Sequence, residues 1–150
     1  MSNSLIASIW HRLQGVHTLT SQCASRQNTG WNGRGEGRVL VEHQGTDILV
    51  FNEDGYWHGS GGAPPLPFHN VYRWTLGDNQ IALEHLRLGA AHPVFLVDFI
   101  PTHTHLQAAA PHPCRDDRYD ALLSLDDDAL RLIWTVKGPS KDERLAYAYR

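Results

Sequence analysis

The stretch that decides the fold is YDALLSLDDDALRLIWTVKGPSKDERLAYAYR, which runs from Tyr119 to Arg150. It contains three short runs of aliphatic and aromatic residues, separated by SLDDDA and GPSKDE. Asp, Gly, Pro and Ser are the residues that tight turns between antiparallel strands prefer. The stretch therefore predicts a three-stranded meander, with strands at Tyr119–Leu125, Leu130–Lys137 and Arg144–Tyr149.

The same succession of short apolar runs and turn residues extends upstream to Gly37. Tight turns are expected at NEDG and LGDN, and SGGAPPLP, residues 60–67, is expected to form a long loop over one end of the fold. The five further predicted strands are Arg38–His43, Asp47–Glu53, Phe68–Leu76, Gln80–Leu88 and Val94–Pro101.

The first fifteen residues have a different periodicity. In SNSLIASIWHRLQG, the residues Leu5, Ile9 and Leu13 recur at i, i+4 and i+8 with Ile6 and Trp10 beside them, which predicts a helix of about three turns. Eight hairpin-linked strands and one helix predict a mainly β fold, an antiparallel β-barrel of about eight or more strands with an N-terminal helix. A barrel of that size can hold one small ligand.

Length and charge limit the classes of function. A chain of 150 residues is expected to form a single domain, residues 1–150, and a net charge of −3 does not favour nucleic acid as a partner. No apolar run reaches about 18 residues, so no membrane association is expected, and a cytoplasmic monomer or homodimer is the default. Cys23 and Cys114 lack C-x-x-C spacing, which argues for reduced thiols.

Two spaced motifs in the C-terminal third carry a family resemblance. The first, in HPCRDDRY, consists of His112, Cys114, Asp117 and Tyr119. The second, in GPSKD, consists of Gly138, Pro139, Lys141 and Asp142. In this order they resemble a family catalogued as domain of unknown function 6314, and Tyr72 and Trp74 of NVYRWTL, with the glycine-rich GRGEGRVLVE, extend the match over most of the chain. The resemblance implies a lipocalin-like barrel and no settled activity.

The first motif has two interpretations. His112 with Asp117, or Tyr119 with Asp117, can form an acid/base pair at a pocket mouth, with Cys114 as a neighbouring thiol. Alternatively, Pro111 and Pro113 hold an extended strand entry, an aspartate caps the turn, and the tyrosine ring belongs to the core.

Strand IALEHLRLG supplies further candidates. Alternation puts Ile81, Leu83, His85 and Arg87 on one face, so the last two become pocket residues if the aliphatic pair points inward. They lie at the strand end in water if it does not. A buried arginine would need an anionic partner.

The preferred hypothesis is a small-molecule-binding barrel with a mixed aromatic and polar pocket, plausibly for an organic anion. The expected ligand-binding residues are Tyr72, Arg73, Trp74, Arg87, Cys114, Trp134, Lys137 and Lys141. The alternative is a cofactor-free acid/base enzyme, an isomerase, cyclase or hydrolase, with His112, Asp117, Tyr119 and His85 as its catalytic residues.

A haem or metal barrel is the third hypothesis. His103 and His105 in HTHL are spaced to share a strand side, and His112 or His85 could add a third ligand. GWNGRGEG, residues 30–37, is similar to the opening of nitrobindin-type haem barrels. Two histidines in a loop usually have no metal role, so no cofactor and no metal is expected.

Overall fold

The computed structural model describes residues 2–26 and 32–150. One helix, α1 (Ser2–Gln14), precedes eleven strands in the described part of the chain. The strands are β1 (Thr18–Ser25), β2 (Gly33–Gln44), β3 (Ile48–Gly59), β4 (Leu66–Leu76), β5 (Ile81–His85), β6 (Val94–Pro101), β7 (Leu106–Ala108), β8 (His112–Cys114), β9 (Asp117–Leu125), β10 (Leu130–Lys137) and β11 (Asp142–Tyr149).

The strands form a closed antiparallel barrel. Their order is β10-β11-β1-β2-β3-β4-β5-β6-β7-β9, and a further pairing between β9 and β10 closes a ring of ten strands. Strand β8 lies outside the ring and pairs only with β9. The predicted barrel with an N-terminal helix is therefore confirmed, with ten strands in the ring.

Helix α1 packs against one end of the barrel. Its apolar stripe joins the hydrophobic core cluster through Ile6, Ile9, Trp10 and Leu13, all of which are buried. The Arg12 guanidinium donates hydrogen bonds to carbonyls of the β9–β10 turn. We call this the helix end of the barrel. Among residues 2–26 and 32–150, no helix is both long and apolar enough to cross a membrane.

The prediction of a turn at NEDG, residues 52–55, is wrong. Strand β3 continues through these residues to Gly59, because Gly55 lies opposite Gly37 on β2 and the two backbones approach closely there. A side chain at Gly55 would overlap the carbonyl of Glu36 and the ring of Phe68. The loop expected at residues 60–67 is correspondingly shorter, since β4 begins at Leu66.

Three strands were not predicted, and six of the eight predicted strands have other bounds in the structure, β2 and β5 among them. Strand β1 alternates small polar residues instead of apolar ones, and β7 and β8 have three residues each. Strand β2 begins at Gly33 instead of Arg38, within a glycine-rich stretch that reads as a loop. Strand β5 ends at His85, after a bulge opposite β6, so the alternation expected to continue to Leu88 stops there.

Candidate functional site

The end of the barrel opposite α1 is hollow. A cavity of ≈ 520 Å³ opens to solvent there, and we call it the main cavity and its opening the mouth. Four aromatic rings form most of its apolar wall, and a few polar side chains lie between them. Its lining consists of Ser21, Cys23, Trp57, Leu66, Pro67, Phe68, Asn70, Tyr119, Val136, Lys141, Glu143, Leu145 and Tyr147.

Glycines on β2 allow neighbouring groups to pack closely against this strand beside the main cavity. Strand alternation turns Gly33, Gly35 and Gly37 toward the interior, where each would otherwise place a side chain in the barrel. A Cβ added at Gly35 would stand 3.3 Å from the ring of Trp57 and overlap the hydroxyl of Ser21. The missing side chains therefore let strand β3 and the side chains of Ser21 and Trp57 approach β2 closely.

The two sequence motifs meet at the mouth. The ammonium of Lys141 lies 3.6 Å from a carboxylate oxygen of Asp117. Gly138 packs directly against the same carboxylate, and a methyl group there would overlap it. The interaction with Tyr119 raises the pKa of Lys141 most; desolvation opposes it, and the charges of Asp117 and Glu143 raise the pKa further. The mouth thus carries a lysine that stays protonated at neutral pH.

Tyr147 belongs to the walls of two cavities. Its ring lines both the main cavity and an inner gap of ≈ 10 Å³, about the space of one water molecule. The other residues around the inner gap are Tyr72, Trp74, Leu83, Leu132, Trp134 and Tyr149.

A buried carboxyl group is hydrogen-bonded to Tyr149, one of the residues that line the inner gap. Glu53 is 0 % exposed, and its Oε2 accepts a hydrogen bond of 2.7 Å from the hydroxyl of Tyr149. Its other oxygen, Oε1, has no hydrogen-bond partner among the described residues, and neither does Nε1 of Trp74. Burial raises the pKa of Glu53 to about 7, although the Tyr149 hydrogen bond lowers it. Burial also raises the pKa values of Tyr72, Tyr147 and Tyr149.

The proposed acid/base trio lies at the mouth but is not hydrogen-bonded together. The ring of His112 stands 6.4 Å from the ring of Tyr119, measured between centroids, and 6.5 Å from that of Phe95. Among the described contacts, His112 donates no side-chain hydrogen bond to Asp117, which faces Lys141 instead. Cys114 is exposed on β8.

The cations expected to meet an anion lie elsewhere. Arg73 points to the outer face of the barrel and forms an ion pair of 2.8 Å with Glu84. Arg87 follows the end of β5 and is exposed, and Lys137 lies on the outer face opposite Arg118. Lys141 is the cation that lines the main cavity in the described part of the chain.

His85 is placed by its strand beside an interior tyrosine. Its ring stacks on that of Tyr72 with centroids 4.6 Å apart, and desolvation followed by the charge of Arg87 lowers its pKa. His103 and His105 lie in the β6–β7 turn, where Nδ1 of His105 is 3.0 Å from the hydroxyl of Thr104. Gly30 and Trp31 of the haem-like stretch lie outside the described residues.

Sequence reasoning missed the most unusual group in the interior. Glu53 is the last residue of a predicted strand and falls within the turn expected at NEDG, so its side chain received no role. A signal was present, because Leu49, Phe51 and Glu53 alternate along β3 and place a carboxyl group in an otherwise apolar row. Ser21 and Cys23 were missed with strand β1, and both line the main cavity.

Comparisons with known proteins bear on the family and the fold. The model of a family described as a family of unknown function (DUF6314) matches residues 13–150, which confirms the resemblance carried by the two motifs. No curated protein matches the sequence. A solved redesigned β-barrel, mFAP1 bound to DFHBI, is similar at 9% identity and a TM-score of 0.45, covering 97% of this chain and 99% of that chain. A similarity of this size supports no functional inference.

Proposed function

The chain belongs to the family of unknown function DUF6314, and we propose that it binds a small, flat, mainly apolar organic molecule in the main cavity. The observation that carries the proposal is an open cavity of ≈ 520 Å³ at one end of a closed barrel. That volume falls within the range of about 300–1,000 Å³ typical of small-molecule sites.

The lining defines the kind of molecule. The rings of Trp57, Phe68, Tyr119 and Tyr147 offer flat apolar surface to an aromatic or fused-ring body. Burial, and then the charge of Glu143, raises the pKa of the Cys23 thiol, so this thiol is neutral at neutral pH. The walls below the mouth therefore favour an uncharged body with few polar groups.

Within the lining of the main cavity, the charged side chains lie at the mouth. Lys141 and Glu143 both line the main cavity, so its described lining holds one cation and one anion. A carboxylate or similar anion on the ligand would lie at the mouth against Lys141. Arg73, Arg87 and Lys137 are not among the residues that line the main cavity, so the anion is assigned to Lys141.

Filling the main cavity tests binding directly. Calorimetric titration of the wild type with 2-methoxynaphthalene is expected to give a dissociation constant of about 10–100 μM. Leu145→Trp places a ring inside the main cavity and should weaken binding by about tenfold. Leu122→Trp, on the outer face of β9, is the matched control and should leave affinity unchanged. Equal effects of the two variants, or no binding to the wild type, would overturn the proposal.

A second titration locates the anion. Lys141→Met should weaken binding of 2-naphthoate by about three- to tenfold and leave 2-methoxynaphthalene unaffected. Lys137→Met removes the same charge from the outer face and should change neither affinity. Identical behaviour of both variants toward 2-naphthoate would show that the mouth does not receive an anion.

A further inference from the structure

Among the described residues, three buried side-chain atoms lack hydrogen-bond partners. One is Oγ of Ser25, and the other two lie in the most deeply buried part of the barrel: Oε1 of Glu53 and Nε1 of Trp74. Glu53 and Trp74 are 0 % and 1 % exposed. A buried polar atom without a hydrogen bond destabilises the folded state, and such atoms are few in folded proteins. The Glu53 atom is an acceptor and the Trp74 atom a donor, so a single hydroxyl or amide group could serve both.

The two atoms belong to one neighbourhood. Trp74 and Tyr149 line the same inner gap, and the ring of Phe51 touches both, with centroids 5.7 Å and 5.5 Å away. The hydroxyl of Tyr149 is the one that donates to Glu53. The unpaired donor therefore belongs to a residue that lines the inner gap, and the unpaired acceptor belongs to the carboxyl group that is hydrogen-bonded to Tyr149, another residue of that lining.

This neighbourhood adjoins the main cavity. Glu53 is the direct cross-strand neighbour of Asn70, and cross-strand neighbours on one face have Cβ atoms about 4.5–5.5 Å apart. Asn70 lines the main cavity, as does Tyr147, which also lines the inner gap. The inner gap holds no more than a terminal group, so the body of any ligand must stay in the main cavity.

We propose that Glu53 and Trp74 form an inner subsite for a terminal hydroxyl or amide of a flat aromatic ligand whose body occupies the main cavity. The ligand group donates to Glu53 and accepts from the indole N–H of Trp74. This inference rests on the proposed function, and it narrows the ligand class to phenol-like or amide-bearing aromatics.

The groups around Glu53 allow its ionisation to be detected as a pH dependence of ligand affinity. Tyr72 from β4 and Tyr147 and Tyr149 from β11 interact with it electrostatically, and no lysine, arginine or histidine does so among the described residues. Its pKa of about 7 means that the carboxylate, the stronger acceptor, replaces the acid near neutral pH. Binding of a hydroxyl-bearing ligand should therefore tighten as the pH rises through 7.

A pair of probes isolates the subsite. 2-Naphthol donates a hydrogen bond, whereas 2-methoxynaphthalene has the same fused rings and cannot donate. Calorimetry at pH 6 and pH 8 should show that the wild type prefers 2-naphthol by about tenfold at pH 8 and by less at pH 6. In Glu53→Gln, which can keep the Tyr149 hydrogen bond, the preference should fall to about twofold and lose its pH dependence. Glu42→Gln, an exposed change on β2, should behave as wild type.

Trp74→Phe keeps an aromatic ring and removes the N–H, so it should also reduce the preference for 2-naphthol. Equal affinities of the wild type for both probes, with 2-methoxynaphthalene still bound, would overturn the inner subsite and leave the proposed function standing. The same holds for an unchanged preference in Glu53→Gln. Failure of both probes to bind would overturn the proposed function and the subsite together.

Discussion

The two ends of the barrel are built from opposite kinds of residue. At the helix end, α1 and the inward rows of the strands meet in side chains such as Ile9, Phe99 and Leu130, each 0 % exposed. At the mouth, the same strands turn glycine, Ser21 and Cys23 inward and leave a hollow. The difference suggests a division of roles, because tight packing at one end stabilises a fold whose other end stays open to a guest.

The largest expected effect tests the packed end. Phe99→Ala removes a fully buried ring that stacks on Trp74, with centroids 6.2 Å apart, and should lower the free energy of unfolding by about 3–5 kcal/mol. Leu145→Ala, in the wall of the main cavity, should cost only about 1 kcal/mol, because its side chain already borders open space. Urea denaturation followed by circular dichroism measures both. Similar losses of unfolding free energy in the two variants would contradict the distinction between a packed helix end and a hollow mouth.

The next effect concerns Glu53, whose pKa rises from an ordinary 4.5 to about 7 on folding. Between these values the folded state keeps a proton that the unfolded state has lost, so stability falls as the pH rises. The stabilisation from this group is complete below about pH 4.5 and lost as the pH passes 7, by about 3 kcal/mol in all.

Glu53→Gln should flatten this part of the profile. Thermal denaturation of the wild type, Glu53→Gln and Glu42→Gln across pH 5–8 measures the difference. Parallel profiles for the wild type and Glu53→Gln would show that the carboxyl group does not titrate in this range.

A smaller effect is expected where the two motifs meet. In Gly138→Ala the new methyl group must displace the carboxylate of Asp117 from Lys141, which should cost about 1–2 kcal/mol. Gly61→Ala is the control, because a Cβ there meets nothing within 4 Å. Chemical denaturation followed by tryptophan fluorescence measures the free energy of unfolding of both variants. Equal losses in the two variants would contradict the packing of Gly138 against Asp117.

The smallest effect lies in the β8–β9 turn at the mouth. Among the described residues, Arg115 is the non-glycine residue with a positive φ, at 58°. Arg115→Gly relieves this backbone strain and should raise stability by up to about 1 kcal/mol, whereas Arg118→Gly within β9 should lower it by a similar amount. Calorimetry measures the melting temperatures of both variants. A melting temperature of Arg115→Gly below that of the wild type would show that the turn is unstrained.

How far the sequence predicts this structure depends on the end of the barrel. Strands β6 and β10 were predicted with the bounds they have, Val94–Pro101 and Leu130–Lys137. Apolar alternation and turn residues are local signals, and those strands carry both. Strand β1 has alternation of burial without alternation of hydrophobicity, because Ser21 and Cys23 face a cavity.

The candidate site was less predictable than the strands, because local patterns do not show which side chains meet across the barrel. Tyr119 and Lys141 were named from motifs and do line the main cavity, and Tyr72, Trp74 and Trp134 surround the inner gap. The partner of each ionisable group depends on strand register, which a local pattern does not fix. In the structure Arg73 forms an ion pair with Glu84, and Glu53 accepts a hydrogen bond from a tyrosine 96 positions away along the chain.

Strand β8 has a consequence for how the protein behaves at high concentration. An unpaired strand edge offers a row of N–H and C=O groups onto which a second molecule can add a strand. The outer edge of β8 is only three residues long, and its middle residue, Pro113, has no N–H to donate. Growth of an intermolecular sheet from this edge is thereby blocked, which suits a protein whose ring of strands is otherwise closed.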